Sequence, residues 1–174
     1  MAGSDRRVAR LAEGHIFGAM GDALRRRLKQ WKFESPQHEA MLALMVAASF
    51  LDEQIDHFVS QHGISRQQYN ILRILKGAGP DGHPCGEVAV RMVHRSPDVT
   101  RRIDGLVKLG LVERRRSDED RRVVLTRITD EGSALLAKIA PLDRGFIDML
   151  KRKFSAKEAQ ELTALCEQLF TDED

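Results

Sequence analysis

The run Ser96-Pro97-Asp98-Val99-Thr100-Arg101-Arg102-Ile103-Asp104-Gly105-Leu106-Val107-Lys108-Leu109-Gly110, followed at once by Leu111-Val112-Glu113-Arg114-Arg115-Arg116, decides the fold. Ser is a good N-cap and Pro is favoured at the first helical position, so a helix is expected to open at Ser96-Pro97. Val99, Ile103 and Leu106 then fall on one face, extended by Val107 or Leu109, and Gly110 supplies the stop. Beyond Gly110 the period changes. Leu111–Arg115 and Val123–Ile128 are short strand-compatible runs flanking the polar stretch Arg116–Arg122, which predicts a two-stranded hairpin with a long charged tip.

Upstream, Ser65-Arg66-Gln67-Gln68 is a capping box, a hydroxyl and a Gln three residues on that satisfy each other's backbone donors. The helix it opens runs to about Lys76, with Tyr69, Leu72, Ile74 and Leu75 apolar. Gly77-Ala78-Gly79-Pro80-Asp81-Gly82 is a loop, and residues 86–93 form a short helix. Helix, short helix, turn, helix and hairpin, in that order, make a winged helix-turn-helix. Further out, residues 5–31 read as an amphipathic helix on Ile16, Met20, Leu24, Leu28 and Trp31, and residues 37–62 keep a stripe from Met41 to Val59 that Gly63 ends. Downstream, Thr129 caps a long helix with Asp130 and Glu131 in its first turn, which Pro141 and Gly145 are expected to bend. A second capping box, Ser155 with Glu158, opens a last helix that ends near Phe170. The fold class is therefore mainly α with a small β-hairpin wing. Residues 1–35 form an extra N-terminal helix, 65–132 the winged helix-turn-helix, and 36–64 with 133–174 a flanking helical region.

Charge is segregated along the chain. The net charge of the 174 residues is +2, yet Arg91 to Ile128 carries eleven Lys or Arg against six Asp or Glu, a net of +5, leaving −3 for the rest. A basic segment on a slightly acidic chain is the footprint of a polyanion-binding surface, and the bland alternative is a solvated charged face. A hydrophobic share of 42% with 31% charged residues suits a globular chain. No run approaches 18 consecutive apolar residues, and the opening MAGSDRRVARLAEG has no apolar stretch of a signal peptide, so the expected location is the cytoplasm, with no membrane partner. Two cysteines do not make a disulfide framework. There is no GxSxG, Walker A or HExxH motif, and His57 and His62 are five apart where helical zinc ligands prefer three or four. No enzyme activity, metal or cofactor is expected.

A helix fits the major groove of double-stranded DNA, and its N-terminal residues meet base edges. Those residues here are Ser96, Pro97, Thr100, Arg101 and Arg102, with Asp98 compensating the helix dipole. If Val99 and Ile103 face the core, Arg101 points nearly opposite them, where a guanidinium can take guanine O6 and N7 together; Thr100 can meet phosphate or a thymine methyl. In the hairpin tip, Asp120 is expected to pair with a neighbouring Arg and hold the shape, leaving Arg121 or Arg122, with Arg116, for a minor groove.

The segments Gln68-Tyr69-Asn70-Ile71-Leu72, Pro97-Asp98-Val99-Thr100-Arg101, Gly110-Leu111-Val112-Glu113-Arg114, Asp120-Arg121-Arg122 and Ile128-Thr129-Asp130-Glu131-Gly132 together resemble the MarR family of bacterial transcription regulators. The resemblance spans roughly residues 37–172 and is dense over 65–135. It implies a homodimer built from residues 37–62 and 133–172, a pseudo-palindromic operator, and repression released by a small-molecule effector, often a phenolic anion, or by cysteine oxidation. It implies an effector pocket between the dimer helices and the reading head, touching Trp31, His38, Met41, Met45, Tyr69 and Arg102. Arg102 stands where the family often has Leu or another apolar residue, and the 5–31 helix is additional to the minimal plan. Trp31 resembles a feature of the urate-responsive branch, but Asn70 stands where that branch has an acid. Two alternatives are a thiol-based redox sensor using Cys85 or Cys166, and a helical dimer or adaptor without DNA binding, which would have no need of Arg101, Arg121 and Arg122.

Overall fold

The computed structural model describes residues 22–95 and 97–171. They fall into two compact units, residues up to Ile55 and residues from Asp56 on.

The first unit holds a short helix, α1 (Asp22–Leu28), and most of a long one, α2 (Pro36–Ser60). α1 ends as helices with a C-terminal Gly do, but with a lysine: Lys29 takes φ 53°, and the Gln30 N–H reaches back to the Arg25 carbonyl at 3.2 Å. The expected helix therefore stops before Trp31, which lies outside it. Its residues 5–21, including Ile16 and Met20, lie outside the described residues. Arg25 ties the unit together, reaching Asp22 at 3.6 Å, Glu39 at 3.4 Å and the face of Phe33 at 5.8 Å.

In the second unit, α3 (Arg66–Gly77) opens on the expected capping box: Ser65 Oγ accepts the Gln68 N–H at 3.3 Å and Gln68 Oε1 accepts the Ser65 N–H at 2.9 Å. A single 3-10 turn (Gly79–Asp81), strand β1 (His83–Pro84), α4 (Cys85–Val90) and α5 (Val99–Lys108) follow. Next come β2 (Val112–Arg116), β3 (Val124–Ile128), α6 (Asp130–Lys153) and α7 (Ala156–Glu167). α6 continues unbroken through Pro141 and Gly145. Ile71, Leu72 and Leu75 of α3, Val88 of α4, Ile103 and Leu106 of α5, Val112 of β2 and Ile139 of α6 are fully buried and make the core. α3 is its hub, packing on α5, β3 and α6.

Three features of the second unit differ from expectation. The wing is a three-stranded sheet in the order β1-β3-β2, because the two residues His83 and Pro84 pair with Thr126 and Leu125. Two residues carry no readable period, and Pro tolerates an edge position. Gly82 makes the pairing possible: at φ 71° it lies so close to the Thr126 carbonyl that no Cβ would fit. α5 starts at Val99, not at Pro97; Pro97 and Asp98 form a turn, and Asp98 is the N-cap. Ser96 lies outside the described residues. Of the two candidates for extending its apolar face, Val107 is half-buried and Leu109 is exposed. The short helix also ends early, at Val90, before a loop whose Met92 is buried.

Candidate nucleic-acid interface

α5 is placed by its own buried stripe. Val99, Ile103 and Leu106 point into the core, so the 100° step per residue turns Arg101 and Lys108 outward, and both are exposed. Thr100 is exposed beside Arg101, its Oγ1 3.4 Å from Cys85 Sγ on α4. Arg102 is half-buried on the other flank, with its Nε enclosed and unpartnered. The chain leading into α5 is held by Asn70 of α3, whose Oδ1 accepts the Val93 N–H at 3.0 Å. Nothing local marks Asn70 for that work, since a polar residue on a helix carries no signal of a contact 23 positions away.

The wing sorts its arginines by partner. Arg114 on β2 pairs with Asp104 of α5 at 2.6 Å, and Arg127 on β3 pairs with its register partner Glu113 at 2.7 Å. Arg115 pairs with Asp118. The tip is thus pinned by Asp118 and not, as expected, by an ion pair of Asp120. Asp120 instead accepts the backbone N–H of Arg122 at 2.9 Å, while Ser117 Oγ accepts those of Glu119 and Asp120 at 3.2 and 3.4 Å. An Asp two residues before its partner closes a turn without needing a cation. Among the described residues, Arg101, Arg116, Arg121 and Arg122 form no ion pair, and all four are exposed.

The residues expected around an effector fall in different units. Trp31, His38, Met41 and Met45 belong to the first, and Trp31, Met41 and Met45 are exposed there. His38 accepts the Glu34 N–H through Nδ1 at 3.4 Å, and its ring meets Phe33 edge-on. Tyr69 and Arg102 belong to the second. Tyr69 is buried against Phe58, and its hydroxyl accepts from Arg73 at 3.4 Å. Burial pushes the Tyr69 phenol above its ordinary value near 10, and the hydrogen bond to Tyr69 raises Arg73. Arg73 also pairs with Asp143 of α6 at 3.0 Å. Among the described residues no three His, Cys, Asp or Glu side chains are grouped to hold a metal, and no helix is long and apolar enough to cross a membrane.

An outward helix seated on a three-helix core, beside a sheet whose tip projects exposed arginines, defines a winged helix-turn-helix protein. Residues 62–123 match the model of the MarR family. A MarR transcription factor from Planctomyces limnophilus is 36% identical, over 79% of this chain and 99% of that one, with a TM-score of 0.59. The transcriptional repressor YetL of Bacillus subtilis is 26% identical over 132 residues, 76% of this chain and 79% of its own. The S. aureus MepR structure, a complex with DNA, shares the fold at 19% identity and a TM-score of 0.65, over 75% of this chain and 94% of that one. The chain belongs to the MarR family.

Proposed function

We propose that this protein is a sequence-specific DNA-binding transcription regulator, a repressor that grips a pseudo-palindromic operator as a homodimer and lets go on binding a small ligand. The observation that carries the reading is the division of the arginines. Arg114, Arg115 and Arg127 are consumed in ion pairs that shape the wing, whereas Arg101 on the helix and Arg116, Arg121 and Arg122 on the wing stay exposed and unpaired among the described residues. Four uncompensated cations on two adjacent elements repel one another without a polyanion and suit one well. An adaptor would gain nothing from them.

The dimer reading rests on apolar side chains a single chain leaves in water: Met41 and Met45 on α2, Ile147 on α6, Leu162 and Leu165 on α7, and Leu169 and Phe170 beyond it. Exposed apolar residues at helical spacing are what a helical interface between two copies needs. The ligand reading rests on the family and on kinship with known regulators. Thiol sensing is a second reading, favoured by one contact, Cys85 Sγ against Thr100 Oγ1, which would carry a change at sulfur to the reading helix.

The test is an electrophoretic shift on the DNA upstream of the gene itself, repeated across salt. Affinity is expected to fall steeply and linearly on a log–log plot. Absence of salt-dependent binding to any promoter DNA sinks the regulator reading.

A further inference from the structure

β1 does more than complete the wing sheet. Its two residues, His83 and Pro84, pair with Thr126 and Leu125, and Cys85 follows at once as the first residue of α4. The sheet therefore fixes where the Cys85 side chain stands. α4 packs on α5, and Cys85 Sγ lies 3.4 Å from Oγ1 of Thr100, the second residue of α5. Cys85 is half-buried, whereas Thr100 is exposed, one step before the outward Arg101. A threonine carries its hydroxyl and its methyl on one carbon, and in a helix it divides between two χ1 rotamers. Turning the oxygen towards α4 turns the methyl away from it. The two groups do different things on DNA. A hydroxyl grips phosphate oxygens whatever the sequence, whereas a methyl packs against the 5-methyl that marks thymine in the major groove.

We propose that Thr100 is a specificity-determining residue that reads a thymine through its methyl group, and that Cys85 is the positioning residue that holds its hydroxyl off the DNA. This rests on the regulator reading above. The thiol acts here in its reduced form, as a hydrogen-bond partner, with no change at sulfur. A hydrogen bond to sulfur is weak, but a choice between two rotamers of similar energy needs only a small bias. α4, α5 and the sheet that anchors them all belong to the second unit, so the device is complete within it.

The wild-type protein, kept under reductant, is titrated by anisotropy against the footprinted segment of its own upstream DNA. It is then titrated against the same duplex with each thymine in turn replaced by deoxyuridine. That exchange removes the 5-methyl and leaves every hydrogen-bonding edge in place. At one position the exchange is expected to weaken binding about fourfold, the worth of one buried methyl. Thr100→Ser, which keeps the hydroxyl and loses the methyl, should weaken the thymine duplex by a similar factor and cancel the difference at that position. Thr100→Val, which keeps a methyl and loses the hydroxyl, should still tell thymine from uracil. Cys85→Ala should reduce the discrimination by freeing the rotamer, and Cys85→Ser should restore it. In the Thr100→Val background, with no hydroxyl to hold, Cys85→Ala should change nothing. A Cys85 that only supports the fold would show the same loss in both backgrounds, and that result overturns its positioning role. Thr100→Val weakening thymine and uracil duplexes alike would put the hydroxyl on a phosphate and overturn the proposal. So would a wild type indifferent to every exchange, or one whose every response survives in Thr100→Ser. Each of these leaves the regulator reading intact, whereas salt-dependent binding to none of the duplexes overturns both.

Discussion

Asp104 on α5 and Arg114 on β2 form an ion pair at 2.6 Å, joining the two elements proposed to meet DNA. Both side chains are more than a third exposed, so the pair contributes little to stability, about 0–1 kcal/mol. Its value is geometric, because β2 has no buried side chain beyond Val112 to hold it: Glu113 to Arg116 are all exposed. Asp104→Asn should therefore leave the melting temperature nearly unchanged while weakening operator binding about three- to tenfold, roughly 0.7–1.4 kcal/mol. Footprinting locates the loss. Protection under the wing should fade while protection under the recognition helix persists; uniform fading would refute the positioning role.

Gly132 sits at the third position of α6, beneath the strand end. Its N–H donates to Thr129 Oγ1 at 3.1 Å, and a Cβ there would overlap the Leu111 carbonyl and the Ile128 side chain. Helix propensity alone favours Ala over Gly by about 1 kcal/mol. Overpacking against backbone costs about 1–3 kcal/mol, so the clash is expected to win. Gly132→Ala should lower stability in denaturant unfolding, and a gain would show that the strand end yields.

Tyr69 is the only tyrosine, so its titration is visible as tyrosinate absorbance. Burial raises its pKa above the ordinary value near 10. The native state therefore keeps the proton after the unfolded chain has lost it, and this site's contribution to stability is lost as pH rises from about 10 through the native value. Native tyrosinate absorbance should appear only above pH 10, and Tyr69→Phe should remove that part of the alkaline loss. Titration at the value of free tyrosine would contradict the buried placement against Phe58.

Elements with a strong local cause were legible in the sequence. Ser65 with Gln68 and Ser155 with Glu158 form both halves of their capping boxes, and Gly110 takes φ 72° past the end of α5. Those signals act within four residues. What escaped depends on distant partners: β1 exists because Gly82 can approach Thr126, and Asn70 shows its purpose only once Val93 folds against it. The candidate interface was legible as a basic segment, but not the division of labour inside it. Nothing local in Arg114-Arg115-Arg116 says that the first pairs with Asp104, the second with Asp118 and the third with neither. Strand alternation turns adjacent side chains to opposite faces, and the partners come from separate elements.

The division of labour can be tested residue by residue. Arg101 points away from the core of α5, where a bidentate contact to guanine is worth about 1–3 kcal/mol of discrimination. Arg121 and Arg122 stand on a tip whose backbone is fixed by Asp120 and Ser117, free to follow a groove. Arg101→Ala should lower operator affinity about tenfold to a hundredfold while leaving random-sequence binding almost unchanged. Arg121→Ala and Arg122→Ala should weaken both and lower the salt slope by about 0.9 for each phosphate left without its arginine. Competition shifts with operator and random duplexes, run at several salt concentrations, separate the two patterns. If all three variants weaken equally on both duplexes, Arg101 grips the backbone and base readout must lie with Thr100 or Arg102.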